Sequence, residues 1–101
     1  MYARVTQLEI DTLRVGVDEA LALFREEVVP VMREQEGYQG AYVLATTDGK
    51  AVLISFWETE EQAAETPFYS GLIAEFVTLF RAPPGRESYE VRFADAPVVA
   101  A

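Results

Sequence analysis

The chain of 101 residues contains no cysteine and no histidine. Lack of cysteine excludes disulfides, thiolate zinc sites, iron–sulfur clusters and thiol nucleophiles together. Lack of histidine removes the commonest general base, the usual haem ligand and most transition-metal sites. Long apolar runs are missing too. The longest largely apolar stretch, Ala51 to Trp57, falls far short of the roughly 20 residues a membrane helix needs, so no membrane span is expected. Arg4, Glu9 and Asp11 interrupt the N-terminal stretch where a secretory signal requires unbroken apolar sequence, and a cytoplasmic location is the expectation. Positive charge is scarce, with 8 basic residues against 17 acidic ones and a net charge of −9. Such a chain repels phosphate backbones, and neither nucleic acid nor an anionic membrane surface is an expected partner.

What is present is ordinary globular composition, 50% apolar and 25% charged, enough for one domain, expected over residues 1–95 with 96–101 as a flexible tail. Tyr2 to Ile10 alternates and is rich in β-formers, a first strand closed by Asp11, Thr12 and Gly16. From Val17 the apolar positions Val17, Leu21, Phe24, Val28 and Val31 recur at helical spacing, with Glu19, Glu26 and Arg33 opposite, predicting an amphipathic helix that ends near Gly37. Pro30 lies inside it and predicts a kink or break. Tyr38–Thr46 and Ala51–Trp57 read as two strands joined at Asp48-Gly49, a strong hairpin signal. Thr59 with Gln62 fits a capping box. Thr66-Pro67 opens a further helix running to about Arg81, where Ala-Pro-Pro-Gly stops it, and Ser88 to Ala94 alternates as a last strand.

Strand, helix, strand, strand, helix, strand is the split βαβ order of an α+β, ferredoxin-like βαββαβ fold, with a four-stranded antiparallel sheet and its helices on one face. Strand three places Val52, Ile54 and Phe56 on one side and Leu53 and Trp57 on the other. One helical layer covers only one of those faces, so a partner sheet, in a homodimer, is the simplest cover for the second.

The opening MYARVTQLEID, the helix end VVPVMREQEGYQGAYVL and the run ISFWETEEQAAE resemble the antibiotic-biosynthesis-monooxygenase-like family, over Tyr2 to about Phe93. The resemblance implies a dimeric α/β barrel in which two sheets face one another. It also implies a place among cofactor-independent oxygenases of polycyclic phenols and quinols, haem-degrading enzymes, or members without an assigned activity. The haem-degrading branch uses an Asn on strand one, a Trp in the helix after strand three and a His beyond it. Here Gln7 best matches the first, no Trp stands near Ala64 and no His exists, so haem degradation by that route is not expected. No cofactor or metal is expected.

Tyr69 is the foremost candidate site residue. On a helix from Pro67, about 100° per residue puts it within the apolar arc of Phe68, Leu72, Ile73, Phe76, Leu79 and Phe80, so its hydroxyl is aimed inward and needs a partner, either a substrate or a backbone carbonyl. Trp57 ends strand three and either stacks on an aromatic ligand or fills the core. Gln7 offers an amide from strand one, while Arg4 and Thr6 share the strand's other face and replace Gln7 if that face lines a cavity. Glu58, Glu60, Glu61 and Glu65 surround a helix start and read as a solvated face. Two functions stay open. One is a cofactor-free monooxygenase for a small phenol or quinol, with Tyr69 and Gln7 as polar contacts and Trp57, Phe76, Phe24 and Leu72 as apolar walls. The other is a non-catalytic homodimer, structural or binding a small hydrophobic ligand. Chemistry in which the substrate anion itself reacts with oxygen suits a chain without His or Cys.

Overall fold

The computed structural model describes residues 1–64, 77–82 and 84–95. The chain forms β1 (Tyr2–Glu9), α1 (Val17–Leu23), a π-helical turn (Phe24–Val28), α2 (Val29–Arg33), β2 (Tyr38–Ala45), β3 (Lys50–Trp57), α3 (Glu60–Ala64), a 3₁₀ turn (Val77–Leu79) and β4 (Gly85–Glu90). The strands make one antiparallel sheet in the order β2-β3-β1-β4, the ferredoxin-like arrangement. Among the described residues no helix is long and apolar enough to cross a membrane.

Local chemistry explains most boundaries. At the β2–β3 hairpin the Thr46 hydroxyl bonds the Asp48 carboxylate and accepts from the Lys50 N–H at 3.1 Å. Gly49 takes a φ of 100°, which favours glycine. The capping box at α3 is reciprocal: the Gln62 N–H donates to Thr59 Oγ1 at 3.2 Å, and the Thr59 N–H donates to Gln62 Oε1 at 3.1 Å.

Pro30 disturbs the helix without ending it: the preceding turn changes to π winding, and the proline falls in the first turn of α2, where a missing N–H costs little. Three boundaries differ from expectation. α2 stops at Arg33, short of Gly37. The last strand is Gly85–Glu90 rather than Ser88 to Ala94, because its neighbour runs out: Tyr2 pairs with Glu90, and the Val91 N–H makes a further bond to the Met1 carbonyl. Of the helix expected from Thr66-Pro67, the described end is the 3₁₀ turn, after which Phe80 bridges Ile10 instead of continuing a helix. The expected start of that helix and the tail 96–101 lie outside the described residues.

The core lies on one face of the sheet. Leu53, Trp57 and Ala63 are buried with Tyr2, Phe24, Tyr38, Ala41 and Val43 packed around them. Ile10, Val15 and Ala51 form a second cluster. The opposite face of β3 presents Val52, Ile54 and Phe56 half-buried rather than enclosed. Register sets Val52 between Leu44 and Gln7, and Ile54 between Tyr42 and Val5. Tyr42, Leu44 and Tyr89 are 45%, 57% and 51% exposed, a large aromatic and aliphatic area for the face of a small sheet.

Gly37 links this frame together. Its φ is 82°, its carbonyl accepts from the Glu58 N–H at 2.9 Å, and a Cβ added to it collides with the Gln62 amide. Gly37→Ala is therefore expected to lose about 2 kcal/mol, from left-handed backbone strain together with the displaced cap. Thermal unfolding followed by circular dichroism should show a drop of roughly 10 °C, and an unchanged midpoint would refute this role.

Candidate functional site

β1 and β3 exchange side chains across the helix-facing side of the sheet. Because side chains alternate along a strand, Tyr2, Arg4 and Thr6 stand on the same face as their partners Trp57, Ser55 and Leu53. Arg4, Thr6 and Ser55 are all buried there, at 4%, 1% and 0% exposure, a polar row inside an apolar layer. Two members have clear internal roles. Arg4 Nη1 donates to the carbonyls of Ala63 and Ala64 at 3.3 and 3.2 Å, tying β1 to the last described turn of α3. Trp57 Nε1 donates to Ser55 Oγ at 2.9 Å, which satisfies the buried indole. Thr6 Oγ1 has no hydrogen-bond partner among the described residues.

A cleft of about 440 Å³ lies between the helix and the edge strand β2. Phe24, Val29 and Arg33 line one wall, and Tyr38, Gln39, Gly40, Ala41 and Val43 the other. Tyr38 meets Trp57 edge-on, with ring centroids 5.6 Å apart, so the cleft backs onto the core. Burial raises the Tyr38 pKa, and the nearby Arg33 guanidinium opposes part of that rise. The phenol is neutral at physiological pH and can donate.

The expected site residues are only partly brought together. Phe24 packs beside Trp57 and also lines the cleft. Trp57 is 1% exposed with its N–H occupied by Ser55, so it belongs to the core beneath the cleft rather than to an open wall. Gln7 is exposed on the opposite face of β1, away from Trp57; Arg4 and Thr6 take the inward positions. Tyr69, Leu72 and Phe76 lie outside the described residues. Glu58, Glu60 and Glu61 are exposed around the start of α3. Among the described residues no group of three or more acidic side chains is arranged to hold a metal ion. Sequence reasoning missed Ser55, Arg33 and Tyr38. The signal for Ser55 was its position as the single polar residue between Leu53 and Trp57 on an otherwise apolar face.

The sequence model for the antibiotic biosynthesis monooxygenase family matches residues 1–65, from β1 through α3. No curated protein matches the chain in sequence. Among solved structures, a monooxygenase from the gene ActVA-Orf6 of Streptomyces coelicolor, in complex with nanaomycin D, superposes with a TM-score of 0.71 at 24% identity, over 96% of this chain and 92% of that one. Rv0793 from Mycobacterium tuberculosis gives 0.71 at 14% identity, over 94% and 98%. SnoaB, a cofactor-independent oxygenase from Streptomyces nogalater, gives 0.70 at 13% identity, over 92% and 94%. At these identities the structures share the fold.

The Tyr38 environment makes a pH prediction. A raised pKa means that folded Tyr38 holds its proton more tightly than the unfolded chain does. Its contribution is complete below the ordinary tyrosine value of about 10 and is lost as pH climbs through the folded value. Tyr89, raised by its hydrogen bond to Glu87, acts with the same sign. Denaturant midpoints measured upward from about pH 9 should fall, and Tyr38→Phe should shallow that fall. A slope identical to wild type would show that Tyr38 ionises equally in both states.

Proposed function

The chain belongs to the antibiotic biosynthesis monooxygenase family, and from that premise we propose that it is a cofactor-independent monooxygenase-like protein for a small phenol or quinol. The observation that supports this reading is Thr6, a hydroxyl at 1% exposure with no hydrogen-bond partner among the described residues, on the face that also carries Arg4 and Trp57. Buried hydroxyls are ordinarily satisfied, and an orphan in an apolar layer is suited to receive an oxygen atom from a ligand. In the proposed reaction the substrate anion adds dioxygen, forming a carbon–oxygen bond. The O–O bond then breaks with loss of water, and the ring carbon becomes a carbonyl. Phenol plus O₂ gives quinone plus water, with the four electrons taken by O₂ supplied by the substrate. The protein's part is to favour the substrate anion and exclude water, which needs a few fixed donors in a dry site. Thr6 and Arg4 fill the place first given to Gln7, and Tyr69 is the further polar contact.

The complete burial of Trp57, with its N–H held by Ser55, favours the second reading, a non-catalytic homodimer. The two separate on activity. Oxygen consumption with a panel of dihydroxynaphthalenes and related quinols is expected to exceed that of heat-denatured protein. Thr6→Val, nearly isosteric, is expected to lower turnover by about 10²-fold while leaving stability equal or higher, since an unsatisfied buried hydroxyl is removed. Tyr69→Phe should act in the same direction. A protein inert toward the whole panel would support the non-catalytic reading; activity unchanged in Thr6→Val would reject this site.

In the same proposal two copies join through the open sheet faces carrying Tyr42, Leu44, Val52, Ile54, Phe56 and Tyr89, since burying these side chains needs a second layer. Sedimentation equilibrium at micromolar concentration should report twice the 11.3 kDa chain mass. Tyr42→Lys with Leu44→Lys should shift the equilibrium to monomer. A wild-type monomer would refute the assembly.

A further inference from the structure

We propose that the cleft between the π-helical turn and β2 is a binding site of its own, which takes a small aromatic carboxylate with Arg33 as the partner of the acid group. The wall it offers depends on the irregular helix. Phe24, Val29 and Arg33 line it at spacings of five and then four residues. Five is the step of the π turn that runs over Phe24–Val28, and four is the step of the α-helix that follows. In an unbroken α-helix Phe24 would align with Val28, which here is buried in the core. The π turn therefore sets Phe24 and Arg33 on one wall, an aromatic ring at one end and a cation at the other.

The facing wall is complementary. Tyr38 presents a phenol that is neutral at working pH, as any tyrosine with a pKa at or above about 10 is, so it can donate to an anion. A register shift between Tyr38 and Gly40 marks a bulge in β2. Gly40 has a φ of 141°, and among the described residues, its chain neighbours aside, no atom lies within 4 Å of where its Cβ would stand, which leaves the cleft open toward them. Ala41 and Val43 supply apolar surface. A volume of about 440 Å³ is in the range of small-molecule pockets and accommodates a bicyclic aromatic acid.

Charge selects the anion. Among the described residues the only ion pair is Arg14 with Asp11, and Arg33 has no carboxylate within 4.0 Å. Glu34 and Glu36 flank it in sequence, but both are exposed and neither pairs with it. In a chain of net charge −9, an exposed guanidinium at a cleft that also carries Phe24, Val29 and Val43 is a local source of positive potential. A guanidinium gripping a carboxylate beside apolar surface makes a charge-assisted, geometrically specific contact. The cleft is separate from the Arg4–Thr6 row because β3 stands between β1 and β2, a lateral distance of about 10 Å.

Calorimetric titration of the full chain with 1-naphthoate, beside the neutral isostere 1-naphthalenemethanol, tests this. The acid is expected to bind at least tenfold more tightly than the alcohol. Arg33→Gln, an exposed change that should leave the unfolding midpoint in place, should abolish that preference, and Thr6→Val should leave 1-naphthoate affinity unchanged. Equal affinity for acid and alcohol, no binding of the acid, or a preference retained in Arg33→Gln would each overturn the proposal. A loss of affinity in Thr6→Val would place the ligand in the other site and overturn it as well. So would an affinity that weakens as protein concentration rises, since a second copy would then be filling the cleft. The result is independent of oxygen consumption, so this site and the oxygenase reading stand or fall separately.

Discussion

The structure depends on β3 being apolar on both parities. Leu53 and Trp57 alternate with Val52, Ile54 and Phe56, and no arrangement of one strand can turn both sets inward. The fold resolves this by setting β3 between β1 and β2 and laying the described helices on the Leu53 and Trp57 side alone. Everything on that side then follows from alternation. Arg4 and Thr6 must face the helices because they pair with Ser55 and Leu53, and Gln7 must face away. The open side is left with the edge-on pair of Tyr42 and Phe56, ring centroids 5.9 Å apart, together with Leu44 and Tyr89. A solvated sheet face in a monomer would carry polar residues at those places.

The helix meets a different constraint. Proline inside a helix lacks a donor and clashes with the carbonyl four residues earlier, which here belongs to Glu26. A wider turn just before Pro30 accommodates that clash while the helical chain goes on to Arg33. The cost is a change of phase between the two halves of the helix. Val28 and Met32 are buried after the change, while Phe24 and Val29 are left half-covered at the mouth of the cleft. The irregularity and the cleft thus have one cause, a proline whose position can be read directly from the chain.

Legibility in the sequence followed how local each determinant is. Asp48-Gly49 and the Thr59–Gln62 box act within four residues, and the hairpin and α3 lie where those signals put them. Element order was readable because hydrophobic period distinguishes strand from helix. The β4 boundary was not, since Tyr89, Val91 and Phe93 alternate well into the tail; what ends the strand is the end of β1, a fact about a distant segment. Phe93 is left 86% exposed. Which face of β1 Gln7 or Arg4 and Thr6 would take was unreadable for a similar reason. In a strand a one-residue error moves a side chain to the opposite face, and composition gives no clue which parity the helices will cover. Arg33 and Tyr38 were invisible because their meeting needs both the π turn and the bulge before Gly40.

The buried polar row shows why Thr6 invites a functional explanation when its neighbours do not. Sliding β1 by two residues along β3 would keep every side chain on its face, so apolar packing alone opposes that slip weakly. Arg4 opposes it strongly, because its guanidinium reaches the Ala63 and Ala64 carbonyls only in the observed register, and a buried guanidinium stripped of its acceptors is strongly destabilising. Ser55 is likewise accounted for by the Trp57 indole. Register and core are therefore fixed without Thr6. Leu53 on one side and Arg86 on the other flank it in the sheet, and valine would fill the same volume with no hydroxyl to satisfy. A structural account predicts valine at this position; a threonine there gains from its hydroxyl only when something beyond the described fold brings it a partner.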